Sequence, residues 1–162
     1  MKLFIPALIV LTGFVGYVAG QGPAGQQSTL PAPDPGARDA VYAAVVRYQV
    51  ASWTLGADSY CIQINGGDAD GKLLRSLKPL DVKPASDCDK VKKKFDMMVM
   101  DKHSKKKAVL FGASTIRWTS ETTADVEGGY LCGSQCMAGG VYHVVKDGGQ
   151  WKVIKFDVYI SD

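Results

Sequence analysis

The sequence predicts an α+β protein in which one amphipathic helix near the N-terminus packs on a curved antiparallel sheet. Apolar residues recur at helical spacing through residues 38–53, and apolar and polar residues alternate through most of the chain from Phe95 onward. One helix followed by a meander of strands is typical of α+β domains. The core is therefore expected between this helix and one face of the sheet.

The first 20 residues have the features of a secretory signal peptide. Lys2 precedes an apolar run from Leu3 to Val18, and Ala19 and Gly20 suit a signal-peptidase site. The apolar run is shorter than the roughly 20 residues that span a bilayer. We predict cleavage after Gly20, a secreted or periplasmic location, and no stable membrane insertion of the processed chain; an uncleaved anchor is the alternative.

Residues 21–37 are predicted to form a flexible tether because Pro, Gly, Gln and Ser dominate them. Residues 38–162 then have the size of a single domain with a real core. The net charge of +3 falls to +2 when the signal peptide takes Lys2 with it. A charge this small does not favour a nucleic-acid partner.

The elements follow from local patterns in chain order. Val41, Ala44, Val45 and Tyr48 share one face of the predicted helix. After it, the segments SYCIQI, NGGDADG and KLLRSLKPL are predicted as a strand, a turn and a short helix that Pro79 ends. The following strands are predicted in FDMMVMD, AVLFGASTIRWTS, TADVEGGYLC and GVYHVVKDGGQWKVIKFDVYIS.

The last of these segments is predicted to be a hairpin with an irregular second strand. Residues 147–149, Asp-Gly-Gly, provide the turn. Trp151 and Val153 have the opposite parity to Ile154 and Phe156. A β-bulge near Val153 or Ile154 would reverse the alternation of the strand and let both sets point to the same face of the sheet.

With these elements in this order, the chain resembles the NTF2-like superfamily, whose cone-shaped α+β fold holds a pocket between sheet and helices. The segments YCIQI, PASDC, WTSETTADVEGGYLCGSQCMAGGVYHVV and WKVIKFDVYIS are similar to a group of uncharacterised secreted bacterial proteins of this type. The resemblance covers residues 38–162. The superfamily includes isomerases, dehydratases, transport factors and binding domains, so it does not fix one function.

The resemblance implies a pocket, and the candidates for its lining are Trp118, Tyr130, His143, Phe156 and Tyr159. The favoured function is a non-catalytic domain that binds a small apolar molecule or a protein partner, without a cofactor. A pocket enzyme of isomerase or dehydratase type is an alternative, in which Asp125 and Asp157 would join Tyr130, His143 and Tyr159. A homodimer formed through the sheet is also open.

Four cysteines allow three disulfide pairings, and we favour Cys61–Cys88 with Cys132–Cys136. The second pair can form only if CGSQC folds into a turn, because five residues of a straight strand hold the two cysteines too far apart. A metal site there would need His103 and His143 or a carboxylate, and a redox site would need Cys-x-x-Cys at a helix start. We predict neither a metal nor a redox centre.

Eight lysines, Lys90, Lys92, Lys93, Lys94, Lys102, Lys105, Lys106 and Lys107, lie on either side of the strand FDMMVMD. This Lys90–Lys107 hairpin is interpreted as a solvated edge whose lysines deter strand pairing. Binding of an envelope polyanion is the alternative. No Arg or aromatic residue alternates with the lysines, as a nucleic-acid surface would require.

Overall fold

A computed structural model describes residues 33–94 and 96–161, without the side chains of residues 93, 160 and 161. The predicted signal peptide and residues 21–32 of the predicted tether lie outside the described residues. The elements are α1 (Ala37–Ser52), β1 (Ser59–Ile64), β2 (Gly67–Asp68), α2 (Gly71–Ser76), β3 (Val82–Pro84), β4 (Cys88–Lys93), β5 (Asp96–Asp101), β6 (Ala108–Ser120), β7 (Thr123–Gly133), β8 (Cys136–Asp147) and β9 (Gln150–Ser161). The fold is α+β, with a large mixed sheet and few helices.

The strands form one sheet in which β9, β8, β7, β6 and β1 are successive neighbours. β2 and β3 pair with β1, and the β4–β5 hairpin joins the end of β7 through Met98 and Gly133. From β6 to β9 every pairing is antiparallel. Gly148 and Gly149 both have positive φ, which the tight turn between β8 and β9 requires.

The prediction of an antiparallel sheet is wrong for β1. This strand runs parallel to β6, from Ser59 opposite Ala108 to Ile64 opposite Ala113, and also parallel to β3. The chain leaves β1 and passes through α2 and the β4–β5 hairpin before it enters β6. Such a crossover returns the chain in the same direction, whereas a hairpin would reverse it.

α1 supplies one side of the core. Val41 and Val45 are fully buried, and α1 makes its most extensive strand contacts with β9 and β6. The helix ends at Ser52, and Trp53 continues in an extended conformation. The Trp53 ring packs edge-on against Phe111 of β6 and Tyr130 of β7, with ring centroids 5.8 and 5.0 Å apart. The helix end is thereby fixed to the middle of the sheet.

Gln49 joins α1 to the sheet through its side-chain amide. The Nε2 group donates to the carbonyl oxygens of Gly112 and Gly129, both at 3.0 Å, and lies 3.1 Å from the hydroxyl of Tyr142. Gly112 and Gly129 face each other on β6 and β7. A side chain at position 129 would collide with the carbonyl of Ala138 on β8. Only glycine at this position therefore lets β7 and β8 lie this close together.

The sheet carries bulges at the positions where its register shifts. β9 pairs Lys155 with His143 and then Val153 with Val144, which leaves Ile154 as the extra residue and confirms the predicted bulge. A second shift leaves Tyr159 as the extra residue. A further shift lies between Ala113 and Ile116 of β6. Bulges bend strands, so these shifts add local bends to β6 and β9.

Replacing Trp118 by Ala is expected to lower the free energy of unfolding by about 3–5 kcal/mol. Trp118 is 3% exposed, and its ring packs edge-on against Trp151 at a centroid distance of 5.6 Å, so the substitution leaves a cavity. Urea unfolding measures the loss. The control is Leu55→Ala, because Leu55 is 72% exposed. A loss under about 1 kcal/mol for Trp118→Ala would contradict this view of the core.

Candidate functional site

Three of the five candidate pocket residues pack into the core between α1 and the sheet. Trp118 contacts Trp151, Tyr130 contacts Trp53, and Phe156 stacks on Tyr142 with centroids 4.1 Å apart. Tyr130 and Phe156 are half-buried and lie against the hydrophobic cluster. These rings occupy the space between α1 and the sheet, where the NTF2-like resemblance predicts a pocket.

The other two candidates lie elsewhere. Tyr159 is 62% exposed at the second bulge of β9. His143 lies on the outer face of β8, because its neighbours Tyr142 and Val144 are the ones that point into the core. Tyr130 faces the core, so the structure does not bring His143 and Tyr130 together.

His143 is held between two carboxylates on the outer face of the sheet. Its Nδ1 lies 2.8 Å from Asp125 of β7, and its Nε2 lies 2.9 Å from Asp157 of β9. The hydrogen bond to Asp157, assisted by the bond to Asp125, raises the pKa of His143 above its ordinary value despite partial burial. Lys155 and then His143 lower the pKa of Asp157.

These groups belong to a longer row of charges that crosses four strands. Arg117 of β6 donates to Asp125 at 2.7 Å, and Lys155 contacts Asp157 at 2.8 Å. The charge row therefore reads Arg117, Asp125, His143, Asp157, Lys155 from β6 to β9. Each cation lies beside an anion, as cross-strand pairing on one face of a sheet favours.

The geometry of the charge row does not suit acid–base catalysis. A general base needs a nitrogen within hydrogen-bond reach of the substrate. Both ring nitrogens of His143 are already bonded to carboxylates. When it is protonated, the ring can donate to both acids and so hold strands β7, β8 and β9 together, and neither nitrogen is then available to a substrate in this arrangement.

The two disulfide bonds are those favoured by the sequence. Cys61 bonds Cys88 and Cys132 bonds Cys136, with Cα–Cα distances of 6.3 and 5.3 Å. CGSQC forms the tip between β7 and β8, as predicted. Ser134 fixes this tip to β5, since its hydroxyl accepts from the amide of Met97 at 2.7 Å and donates to Asp96 at 2.5 Å.

Within the described ranges, no group of three or more His, Cys, Asp or Glu side chains is arranged to hold a metal ion. Among the same residues, no helix combines the length and apolar character needed to cross a membrane.

Asp101, which the sequence patterns did not single out, organises the lysine-rich turn after β5. Its side chain is fully buried, bonds Lys83, and accepts from Ser59, His103 and Ser104, each at 2.8 Å. Lys83, followed by the Ser104 amide, holds the pKa of Asp101 well below its usual range. This carboxylate ties the turn to β1 and β3.

The lysines of the Lys90–Lys107 hairpin are partly paired. Lys102 lies 3.3 Å from Asp89, and Lys106 lies 3.8 Å from Asp58. Lys90 and Lys92 are exposed on β4. Asp89 and Asp58 therefore offset part of the positive charge of these lysines.

An open groove of about 890 Å³, here called the helix groove, lies between α1, α2 and the start of β9. Its lining includes Asp39, Ala40, Ala43, Ala44, Arg47, Tyr48, Ala51, Lys72, Leu73, Ser76, Trp151, Lys152 and Val153. The sequence patterns did not identify it, although alanines at helical spacing on α1 are a signal that could have found it. None of the five candidate pocket residues lines it.

Comparisons of the chain with protein families, curated proteins and solved structures gave no match. The NTF2-like resemblance therefore stays a prediction.

His143→Gln is expected to lower the free energy of unfolding more at about pH 5.5 than at about pH 8.5. The pKa of His143 is raised in the folded state, so its stabilising contribution is full below the unfolded value of about 6.5 and is lost as pH rises through the folded pKa. The side chain is 34% exposed, and solvent screening keeps the effect under about 1 kcal/mol. Urea unfolding at both pH values measures it. A larger loss at the higher pH, or an NMR titration of His143 with a pKa below about 6.5, would contradict this role.

Removing the Cys61–Cys88 bond with paired Ser substitutions is expected to cost more stability than removing Cys132–Cys136. The bonds join residues 27 and 4 positions apart, and the entropy of loop closure gives about 3.5 and 2 kcal/mol respectively. Chemical unfolding of the two double variants tests the order. Peptide mapping of the unreduced protein must first find both bonds, and free thiols at Cys132 and Cys136 would overturn the structural role given to that pair.

Proposed function

We propose that the protein is a secreted or periplasmic, non-catalytic binding domain of the NTF2-like type, and that its helix groove receives an apolar segment of a protein partner. The observation that carries the proposal is the groove itself, which is open and has several alanine side chains of α1 in its lining. Ala43 and Ala44 are buried beneath it, while Ala40 and Ala51 are exposed along it. Small side chains leave room for the side chains of a partner.

The ends and rim of the groove supply the contacts that would orient a partner. Half-buried Tyr48 offers aromatic surface, and aromatic residues are the most frequent anchors of protein interfaces. Trp151 and Leu73 also line the groove, but they are 9% and 3% exposed and belong to the core beneath it. A segment lying along α1 would contact Tyr48 directly.

The charges at the rim favour a partner with acidic residues. Arg47, Lys72 and Lys152 lie at the rim with Asp39 as the acidic counterpart. Asp39 is already bonded to Lys72 at 2.7 Å, and Arg47 donates to the carbonyl of Ser76 at 2.8 Å. Lys152 is likewise paired, with Asp147 at 3.0 Å, so the net positive charge of the rim comes from Arg47. An apolar segment flanked by Asp or Glu complements it, whereas a small apolar molecule would leave these charges beside its own surface.

Export rests on the sequence of the first 20 residues and on the disulfide bonds. Disulfides form and persist in oxidising compartments. Two disulfide bonds fit a secreted or extracellular protein. The placement of the polar groups supports the non-catalytic part of the proposal, because His143 has both nitrogens bonded and lies outside the helix groove.

The proposal is tested by selecting peptides from a random displayed library against the exported, processed protein. Selected peptides are expected to contain an apolar centre with acidic flanks. Ala40→Trp fills the groove and is expected to weaken their binding at least about tenfold, or 1.4 kcal/mol. The control is Ser52→Trp, since Ser52 is exposed on the same helix outside the groove.

Two results would contradict the proposal. Peptides that bind equally well to Ala40→Trp and to the unchanged protein would place the binding surface elsewhere. A selection that enriches basic peptides would contradict the role given to Arg47. Both variants must unfold at the same urea concentration as the unchanged protein for the comparison to hold.

A further inference from the structure

We propose that the helix groove is also the docking site of residues 27–32 of this chain, QSTLPA, which compete with the partner for it. The competition rests on the proposed function, whereas the docking itself does not. Residues 27–32 belong to the predicted tether and directly precede the described part of the chain, which begins at Pro33. Gly36 is part of the groove lining, so the chain enters the domain at one end of the groove.

A turn at residues 34–37 bends the chain just before α1. The amide of Ala37 donates to the carbonyl oxygen of Asp34 at 3.1 Å, and the amide of Gly36 donates to the carboxylate of Asp34 at 2.9 Å. Pro35 occupies the second position of this turn, which its fixed φ suits. A bend at this point lets the preceding residues return along α1 instead of extending away from it.

Asp34 is also fixed to the sheet beside the groove. Its carboxylate lies 3.7 Å from the Nζ atom of Lys146 on β8, and the same Nζ atom lies 5.8 Å from the centroid of the Trp151 ring. Trp151 lines the groove on its β9 side. The point from which the tether departs is therefore held next to the groove.

The length of the segment matches the length of the groove. The lining runs along α1 from Gly36 to Ala51, which is about 22 Å at a rise of 1.5 Å per residue. A Pro-rich chain in the polyproline II conformation advances about 3.1 Å per residue, so residues 27–33 cover about 22 Å. Leu30 lies four positions before Asp34, or about 12 Å from it, which is level with the middle of the groove.

The composition of the segment suits a groove lined by alanines and an aromatic ring. Leu30 is the only large apolar side chain of the tether. Ala44 of α1 is level with it, and half-buried Tyr48 lies about one helical turn further along. Pro31 and Pro33 favour polyproline II, which has no internal hydrogen bonds and little entropy to lose when it docks in an aromatic-lined groove.

The segment leaves one charge of the groove uncompensated, and this makes it displaceable. Residues 21–33 contain no Asp or Glu. Arg47 on the rim donates to the carbonyl of Ser76, and no ion pair joins it to a carboxylate of the described residues. A partner with an acidic residue gains a contact with Arg47 that the tether lacks. A short tether keeps its own segment at an effective concentration of about millimolar, so even weak docking occupies the groove until such a partner arrives.

A nitroxide spin label on the exported, processed protein tests the docking without any partner. All four native cysteines form disulfide bonds, so Gln27→Cys supplies a single thiol for the label. Docked residue 27 lies at the far end of the groove, and the amide NMR signal of Ala51 is expected to broaden more than that of Asp39. A tether that does not dock broadens Asp39 more, because Asp39 is nearer to the point of attachment. Leu30→Ser is expected to convert the first order into the second.

The affinity of the peptides selected for the groove tests the competition. A groove that the tether fills about two-thirds of the time binds a partner about threefold more weakly, so these peptides are expected to bind Leu30→Ser at least about threefold more tightly. The control is Pro23→Ser, which should leave the affinity unchanged, because residue 23 is about 34 Å of polyproline II from Asp34 and beyond the groove. Both variants must unfold at the same urea concentration as the unchanged protein.

Two results would overturn the inference. Stronger broadening of Asp39 than of Ala51, or an order that Leu30→Ser leaves unchanged, would show that the segment does not dock in the groove. Equal peptide affinities of Leu30→Ser and Pro23→Ser would show that docking does not control access to it. The two proposals fail separately: a selection without peptides contradicts the proposed function and leaves the spin-label result intact, whereas a tether outside the groove leaves the peptide selection intact.

Discussion

The side-chain amide of Gln49 is the interaction on which the arrangement of helix and sheet depends. It reaches from α1 to two backbone carbonyls on adjacent strands, Gly112 and Gly129, and to the hydroxyl of Tyr142. Buried polar groups are costly unless they are bonded, so the contacts of Nε2 favour one height of the helix above the sheet, although the Oε1 atom of the same amide is buried without a partner among the described residues. Burial raises the pKa of Tyr142 to about 12, which keeps its hydroxyl neutral beside the amide.

The two carbonyls that Gln49 contacts belong to glycines of β6 and β7, close to a register shift in β6. Glycine at 129 permits close contact with β8, and the shift in β6 after Ala113 adds a bend. The bent sheet then has an inner face crowded with aromatic rings and an outer face free for charges. Separation of the faces explains why Tyr130 and His143, which an enzyme would bring together, lie on opposite sides of the sheet.

Local patterns predicted the elements well and their pairing less well. α1, β1, β6, β7 and the β8–β9 hairpin lie on the predicted segments, because periodicity and turn residues act over a few neighbouring positions. The parallel pairing of β1 with β6 was missed, since it depends on the path of the chain through 43 intervening residues, 65–107. β4 was missed because its charged sequence, CDKVKK, lacks the apolar alternation that marks a strand.

The candidate site was only partly predictable for a similar reason. Spacing and compartment identified the cysteine pairs, and the small residues of CGSQC allowed the turn that joins one of them. The helix groove depends on where α2 and β9 lie against α1, and alanines are common on the buried faces of ordinary helices. Asp101 resembles a turn residue in the sequence, whereas the structure buries it completely beside Lys83.

The bulge at Ile154 divides β9 into a part that lines the helix groove and a part that carries the end of the charge row. Before it, Trp151 and Val153 point toward α1 and contribute to the helix groove. The extra residue reverses the parity of the strand, so Lys155 and Asp157 point outward and meet His143. Without the bulge, Ile154 and Phe156 would share the face opposite Trp151, and the ring of Phe156 could not stack on Tyr142. One inserted residue therefore lets β9 contribute to the core on both sides of the bulge, line the groove at its start and carry the end of the charge row beyond it.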